Sequence, residues 1–401
     1  MAFKTVVRLL VFVFCAILLT DAANAAVTKR KKAHRRTAAR TSATVVKKKP
    51  LAAKSTKSKK RISSRTASSK RRRSVTSFWT TPTYADATFA DNIEGEDPVV
   101  RRAAVEALGP YNGTVVVADP SNGRILSIVN QRLALQSGFQ PCSTIKVVTA
   151  LAALSEGIID RDTMLRLYGR TKMNLTEALA HSNNPYFASL GVKLGYERVA
   201  YYARLFGLGE KAGLNIDGEH PGVFPDSVIK DGVGMMTSYG EGISLTPLEL
   251  AALMVAISNG GTLYYLQYPR SEQEINEFVP RVKRHLDIAP WLPEIKPGMQ
   301  AAVEYGTARR AHYDDNEPIL GKTGTCSDNR THLGWFGSFN EVGRNKLVVV
   351  VLLTGGKPVN GPVAAGVAGG VYKNLSGRNY FAHQRSLSPF GLVSTQSCCA
   401  Q

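Results

Sequence analysis

Gly113-Thr114-Val115-Val116-Val117-Ala118-Asp119, then Pro120-Ser121-Asn122-Gly123, then Arg124 to Val129 is the stretch that decides the fold class. The first run is apolar and β-branched, the second is built of turn formers, and the third is a partner strand, so together they read as a hairpin. Far along the chain stand three more strand candidates, Ile319 to Thr325, Leu333 to Phe339 and Leu347 to Leu353. Between the two groups the apolar spacing turns helical over Ser143 to Glu156, Leu175 to His181, Pro185 to Leu194, Glu197 to Phe206 and Pro247 to Asn259. Gly260-Gly261 closes the last of these, and further helices are predicted near Pro297 to Arg310 and over Val363 to Leu375. Strands early and late with helices between predict one α+β domain whose sheet joins both ends of the segment.

The chain has 401 residues and a formal charge of +20, which reads as a nucleic-acid signal until the charge is located. Val27 to Val75 holds 20 Lys and Arg and no acidic residue; without it 31 basic residues face 31 acidic ones. The folded part therefore has no basic bias. Residues 27–77 lack the apolar content to offset ordering entropy and read as a disordered basic linker. The linker is a solvated spacer that can also be drawn to anionic lipid or acidic wall polymer. Residues 1–26 read as a signal peptide: Lys4 and Arg8 begin it, Leu9 to Leu19 is apolar, and Ala23-Asn24-Ala25 fits a cleavage site. A spanning helix needs about 20 apolar residues, and Asp21 cuts this run short, so a short membrane anchor is the second choice. Either reading puts the rest of the chain outside the cytoplasmic membrane, on its outer face or in the periplasm, and argues against a specific nucleic-acid partner. Residues 78–109 form a lead-in, 110–380 the main domain and 381–401 a tail.

Three short motifs follow one another in the main domain: Ser143-Thr144-Ile145-Lys146, Ser182-Asn183-Asn184 and Lys322-Thr323-Gly324-Thr325. The first alone says little, since Ser227-Val228-Ile229-Lys230 has the same pattern. Context separates them. Ser143 opens a nearly all-apolar helix, residues i and i+3 share a helix face, and a helix N-terminus favours developing negative charge. A buried Lys146 should lose its proton easily and act as a base toward the Ser143 hydroxyl. The competing reading is Ser143 as a plain N-cap. Ser182-Asn183-Asn184-Pro185 is also ordinary loop chemistry; in an acyl-transfer reading Ser182 relays a proton and Asn184 holds substrate. The third motif sits on a predicted strand, where Lys322 offers charge, Thr323 and Thr325 offer hydroxyls, and Gly324 admits a ligand to the backbone. The backbone N–H groups of Ser143 and Thr325 are candidate oxyanion-hole donors. This chemistry needs no metal or organic cofactor, and the five cysteines show no zinc spacing.

The ordered trio, S-x-x-K, S-x-N and K-T-G, resembles that of the penicillin-binding proteins and serine β-lactamases. Residues from about 110 to 378 look like a penicillin-binding transpeptidase domain. Gln140 to Lys146 resembles that family's P-G-S-T-x-K, Tyr239 to Pro247 its G-x-G-x-x-x-T-P, and Gly321 to Cys326 its strand-borne K-T-G-T. The resemblance implies an antiparallel sheet flanked by helices with an adjoining, mainly helical subdomain. It also implies cross-linking of peptidoglycan stem peptides ending in D-Ala-D-Ala through a serine acyl-enzyme, with inhibition by β-lactams. Carried over, Ser143 is the nucleophile, Lys146 its base and Ser182 the proton relay. Asn184, Lys322, Thr323, Gly324 and Thr325 bind substrate. The chain departs from the pattern at Cys142, where the family carries Gly, at Val147, where it carries Pro, and in a short interval between the first two motifs. If both oxyanion donors are right, Cys142 and Cys326 flank atoms that converge, and a disulfide or close thiol pair is expected there; two unrelated buried thiols are the alternative.

Rival readings are a D,D-carboxypeptidase or β-lactamase, with water as acyl acceptor, and a non-catalytic module that binds β-lactam or wall.

Overall fold

Apolar residues occupy every position of Val115-Val116-Val117 and of Val348 to Leu353, without polar alternation. Such runs suit strands covered on both faces, and that is where the fold puts them. The computed structural model describes residues 79–382 apart from 168 and 344. The expected signal peptide, the basic linker, most of the C-terminal tail, and Cys15, Cys398 and Cys399 lie outside the described residues.

Along the chain come α1 (Pro98–Leu108), β1 (Gly113–Ala118), β2 (Ile125–Val129) and the short α2 (Gln131–Leu135). A 3-10 turn, Cys142–Ile145, runs directly into α3 (Lys146–Ser155). A ribbon of β3 (Leu165–Arg166) and β4 (Lys172–Met173) precedes α4 (Leu175–Ala180), α5 (Asn184–Leu205), α6 (Val233–Tyr239) and α7 (Pro247–Asn259). A second ribbon, β5 (Thr262–Tyr265) and β6 (Arg281–His285), is joined through α8 (Glu272–Asn276). Then come α9 (Leu292–Glu304), β7 (Ile319–Asp328), β8 (Thr331–Asn340), β9 (Val348–Gly355) and α10 (Gly361–Ser376).

Five strands make one antiparallel sheet in the order β2-β1-β9-β8-β7, so the early hairpin and the late meander share it. Val116, Val348, Val350 and Leu352 turn to one face and join Leu151, Phe187 and Leu253 from α3, α5 and α7. Val115, Val117, Val349 and Val351 turn to the other and join Val100 and Leu108 of α1 with Val371 and Tyr372 of α10. Each such side chain stabilises the fold by about 1.5–3 kcal/mol relative to exposure. The architecture is helices on both faces of an antiparallel sheet, α3, α5 and α7 on one and α1 and α10 on the other.

Local signals place the elements. Asp97 caps α1 by accepting from Val99 N and Val100 N, Thr246 and Glu249 form a capping box at α7, and Gly260 ends that helix with φ 98°. The two helical runs read on either side of residue 195 are one stretch broken by Gly195, whose φ of 74° no helix accommodates. One helix is displaced by more than three residues from the sequence reading. The helix expected near Pro297 to Arg310 runs over Leu292–Glu304 and holds Pro297 in its interior. Pro293 at its start supplies the first-turn signal. The lead-in is part of the same core: Glu96 accepts from Ile128 N and Ser127 Oγ of β2, and Arg101 pairs with Asp91 at 2.7 Å.

Candidate active site

The apolar character of α3 forces Lys146 into the interior, where it is fully buried. Its Nζ is surrounded by oxygens: Ser143 Oγ at 2.9 Å, the Ser182 carbonyl at 2.6 Å, Ser182 Oγ at 3.0 Å, and Asn184 Oδ1. The Phe187 ring lies 5.6 Å away. Burial, and then the like charge of Lys322, lower the Lys146 pKa to about 6. A neutral amine has two protons and one lone pair. The Ser182 carbonyl and the Asn184 amide oxygen can only accept, so they take those protons and leave the lone pair for a hydroxyl proton.

Ser143 is not an N-cap. Neither the 3-10 turn nor α3 has a side-chain cap bond, and Pro141 and Ile145 hold the cap positions. Ser143 is half-buried, while Thr144, Ile145 and Lys146 around it are buried. Its N–H belongs to the first turn of a helix, whose N–H groups have no intrahelical acceptor.

Half of Ser182-Asn183-Asn184-Pro185 is architecture and half is site. Asn183 caps α5 by accepting from Tyr186 N at 2.9 Å, and Pro185 sits in the first turn. That start turns Asn184 back onto Lys146, and Ser182, at a left-handed φ of 54°, is held between two lysines.

The second lysine is Lys322, on β7. It is fully buried and donates to Ser182 Oγ at 2.8 Å and to the Thr323 carbonyl at 3.1 Å. Burial lowers its pKa to about 7. These contacts are internal, because a buried ammonium must be hydrogen-bonded. Thr325, next along the strand, is exposed, and its Oγ1 accepts from Gly361 N at 2.8 Å and so keeps its own proton free. Thr323 is buried with its Oγ1 2.7 Å from Thr307 Oγ1. Gly324 is obligatory: a Cβ there would lie 2.9 Å from the Pro141 carbonyl oxygen and 3.1 Å from Trp335 Cβ.

Cys142 and Cys326 form a disulfide with a Cα separation of 5.6 Å. The bond joins the residue before Ser143 to the residue after Thr325, so the two candidate oxyanion donors are held side by side. Cys142 has φ 51°, a left-handed conformation that suits glycine. Two residues unassigned from sequence support this turn. Trp335 Nε1 donates to the Gln140 carbonyl at 2.9 Å, and Gln140 Nε2 donates to the Tyr239 carbonyl and to Glu241. Away from that turn, Glu249 accepts from Gly209 N, Gly222 N and Thr246 N and ties three loops together. Only the Thr246–Glu249 capping spacing signals any of this in the sequence. Ser227 and Lys230, the second S-x-x-K match, are exposed and outside any helix or strand.

The arrangement brings a hydroxyl, a near-neutral amine, a bridging hydroxyl and a cation into one hydrogen-bonded row. Such a row can activate a nucleophile and pass its proton to a leaving group.

Residues 113–373 match the family profile described as the penicillin binding protein transpeptidase domain. Stage V sporulation protein D of Bacillus subtilis is 28% identical over 310 residues, covering 67% of this chain and 48% of that protein. Peptidoglycan D,D-transpeptidase MrdA of Escherichia coli is 25% identical over 290 residues, covering 63% of this chain and 42% of that one. The chain thus spans about half the length of the curated relatives it matches. Among solved structures, Pseudomonas aeruginosa PBP2 overlays with a TM-score of 0.61 at 22% identity, over 73% of this chain and 79% of that one. This last likeness is one of fold.

Proposed function

The chain belongs to the penicillin-binding protein transpeptidase family, and from that premise we propose that it is a peptidoglycan D,D-transpeptidase acting outside the cytoplasm. The observation that carries the reading is Lys146 Nζ at 2.9 Å from Ser143 Oγ, with Ser182 Oγ bridging Lys146 and Lys322.

In this reading Ser143 Oγ attacks the penultimate D-Ala carbonyl of a stem peptide while its proton passes to the lone pair of Lys146. The backbone N–H groups of Ser143 and Thr325 receive the oxyanion; losing one such donor costs about 3 kcal/mol of transition-state stabilisation. The carbonyl-to-nitrogen bond breaks, and the departing D-Ala amine takes its proton from Lys146 by way of the Ser182 hydroxyl. An ester on Ser143 remains. A second stem's amine then attacks that ester, its proton returns along the same row, and the new amide leaves Ser143 protonated. Asn184 fixes Lys146 and meets the peptide, and Thr323, Gly324 and Thr325 hold the terminal carboxylate in the field of Lys322. A β-lactam enters as a cyclic amide acylating the same hydroxyl. The basic residues of 27–77 act as a spacer and electrostatic tether to anionic membrane or wall polymer, with residues 1–26 directing export.

Incubation with labelled penicillin, wild type against Ser143→Ala, followed over time by mass spectrometry, tests the reading. A lasting adduct on Ser143 supports it. An adduct that forms and quickly hydrolyses favours a β-lactamase instead, and no adduct on Ser143 rejects acyl transfer. Release of free D-Ala without cross-linked product identifies a carboxypeptidase.

A further inference from the structure

The strand that holds the candidate carboxylate site does not hold Thr323 alone. Thr323 Oγ1 lies 2.7 Å from Thr307 Oγ1, a hydroxyl on the loop after α9. That loop is fastened to the end of α4 at successive positions. Tyr305 donates to Glu177 Oε1 at 2.7 Å, and Thr307 N donates to the Ala180 carbonyl at 3.0 Å. Between them, a Cβ on Gly306 would fall 2.2 Å from that carbonyl oxygen, so the approach depends on glycine. Ala180 ends α4 two residues before Ser182. One short stretch of chain therefore mounts the bridging serine and, through Thr307, touches the carboxylate strand.

Thr323 is 3% exposed and Thr307 only half-buried, so solvent reaches the pair at Thr307. A threonine hydroxyl has one proton and two lone pairs. When Thr323 turns its proton toward a carboxylate, the hydroxyl at 2.7 Å is left to donate to Thr323 Oγ1. The row from Thr307 through Thr323 to the carboxylate is then polarised in one direction, which strengthens each bond in it.

We propose that Thr307 is a positioning residue of the carboxylate anchor, which confers preference for ligands bearing a free carboxylate beside the scissile amide. The proposal rests on the acyl-transfer reading above.

The test is the second-order rate of Ser143 acylation by two donors, one ending in a free carboxylate and one in the matching primary amide. Thr307→Val loses a hydrogen bond in a chain ending on a charged acceptor and should be roughly tenfold slower with the carboxylate donor. It should match wild type with the amide donor, and Thr307→Ser should restore the carboxylate rate. If Thr307→Val does not fold, Thr307→Ala removes the same hydroxyl without added branching and carries the comparison. Equal slowing with both donors reduces Thr307 to a support of the fold and overturns the proposal, as does no slowing at all. If the amide donor is unreactive even with wild type, failure of Thr307→Ser to recover the carboxylate rate overturns it. A wild type acylated by neither donor nor by penicillin fails the acyl-transfer reading itself.

Discussion

Lys146 and Lys322 converge on one oxygen: their Nζ atoms lie 3.0 and 2.8 Å from Ser182 Oγ. Two cations on one hydroxyl repel, and burial together with that repulsion brings Lys146 down to about 6, while burial brings Lys322 to about 7.

The first prediction concerns pH. Acylation should speed up as pH rises through about 6, where Lys146 loses its proton. Lys322→Gln removes the repelling charge, so Lys146 should hold its proton more tightly and the rising limb should move to higher pH. Because the lysines titrate as a pair, the limb is a property of both. The pH profile of penicillin acylation checks this, and a limb that stays in place assigns it to another group.

The disulfide gives a second. With Cys326→Ala in both backgrounds, Cys142→Gly should be more stable than Cys142→Ala by about 1 kcal/mol, because φ 51° strains an alanine and not a glycine. Both should lie about 2–5 kcal/mol below wild type. Urea unfolding midpoints measure the order, and reversal would mean residue 142 leaves its left-handed conformation when released.

Gly324→Ala is the third. Its new Cβ would meet the backbone oxygen of Pro141 at 2.9 Å, and so must move the strand away from the turn that carries Ser143. The expected costs are about 1–3 kcal/mol of stability and at least roughly tenfold in acylation rate, from misplaced reacting groups. Melting and acylation measured on one preparation separate the two; an unchanged rate would show that the turn follows the strand.

Glu249 supplies the fourth. Burial pushes its carboxyl up to about 7 despite three backbone donors. A carboxyl raised in the folded state contributes stability that is full below its unfolded pKa, near 4.5, and is lost as pH rises through about 7. Glu249→Gln should flatten that decline. At neutral pH it should also cost about 1–3 kcal/mol, because an amide nitrogen replaces one accepting oxygen. Chemical unfolding across this pH window provides the check.

Much of this was legible in the chain, for physical reasons. Hairpin and strands announce themselves through local apolar runs and turn residues, and the three motifs carry side chains whose chemistry is specific in combination. Strand order is different in kind: nothing local to Val348 to Leu353 says that it lies between β1 and β8. The ribbon β5–β6 pairs half-exposed, partly charged strands with no periodic signal. Thr307 and Trp335 matter through contacts made only after folding, with Thr323 and Gln140. The contact of Lys322 with Ser182 joins residues far apart in sequence, which no local signal reports.

The central place of β9 has a temporal consequence. Val116 of the first strand pairs with Val350 of the last, so a chain emerging from its N-terminus makes the hairpin long before the segment that completes the sheet exists. Contacts so distant in sequence are slow to form. Until β9 inserts, β1 and β8 each present an unpaired apolar edge, and Ser143 and Lys322 sit on halves not yet joined. Ser143 follows β2 and Lys322 lies on β7, so the hydrogen-bonded row spans both halves of the sheet that β9 joins.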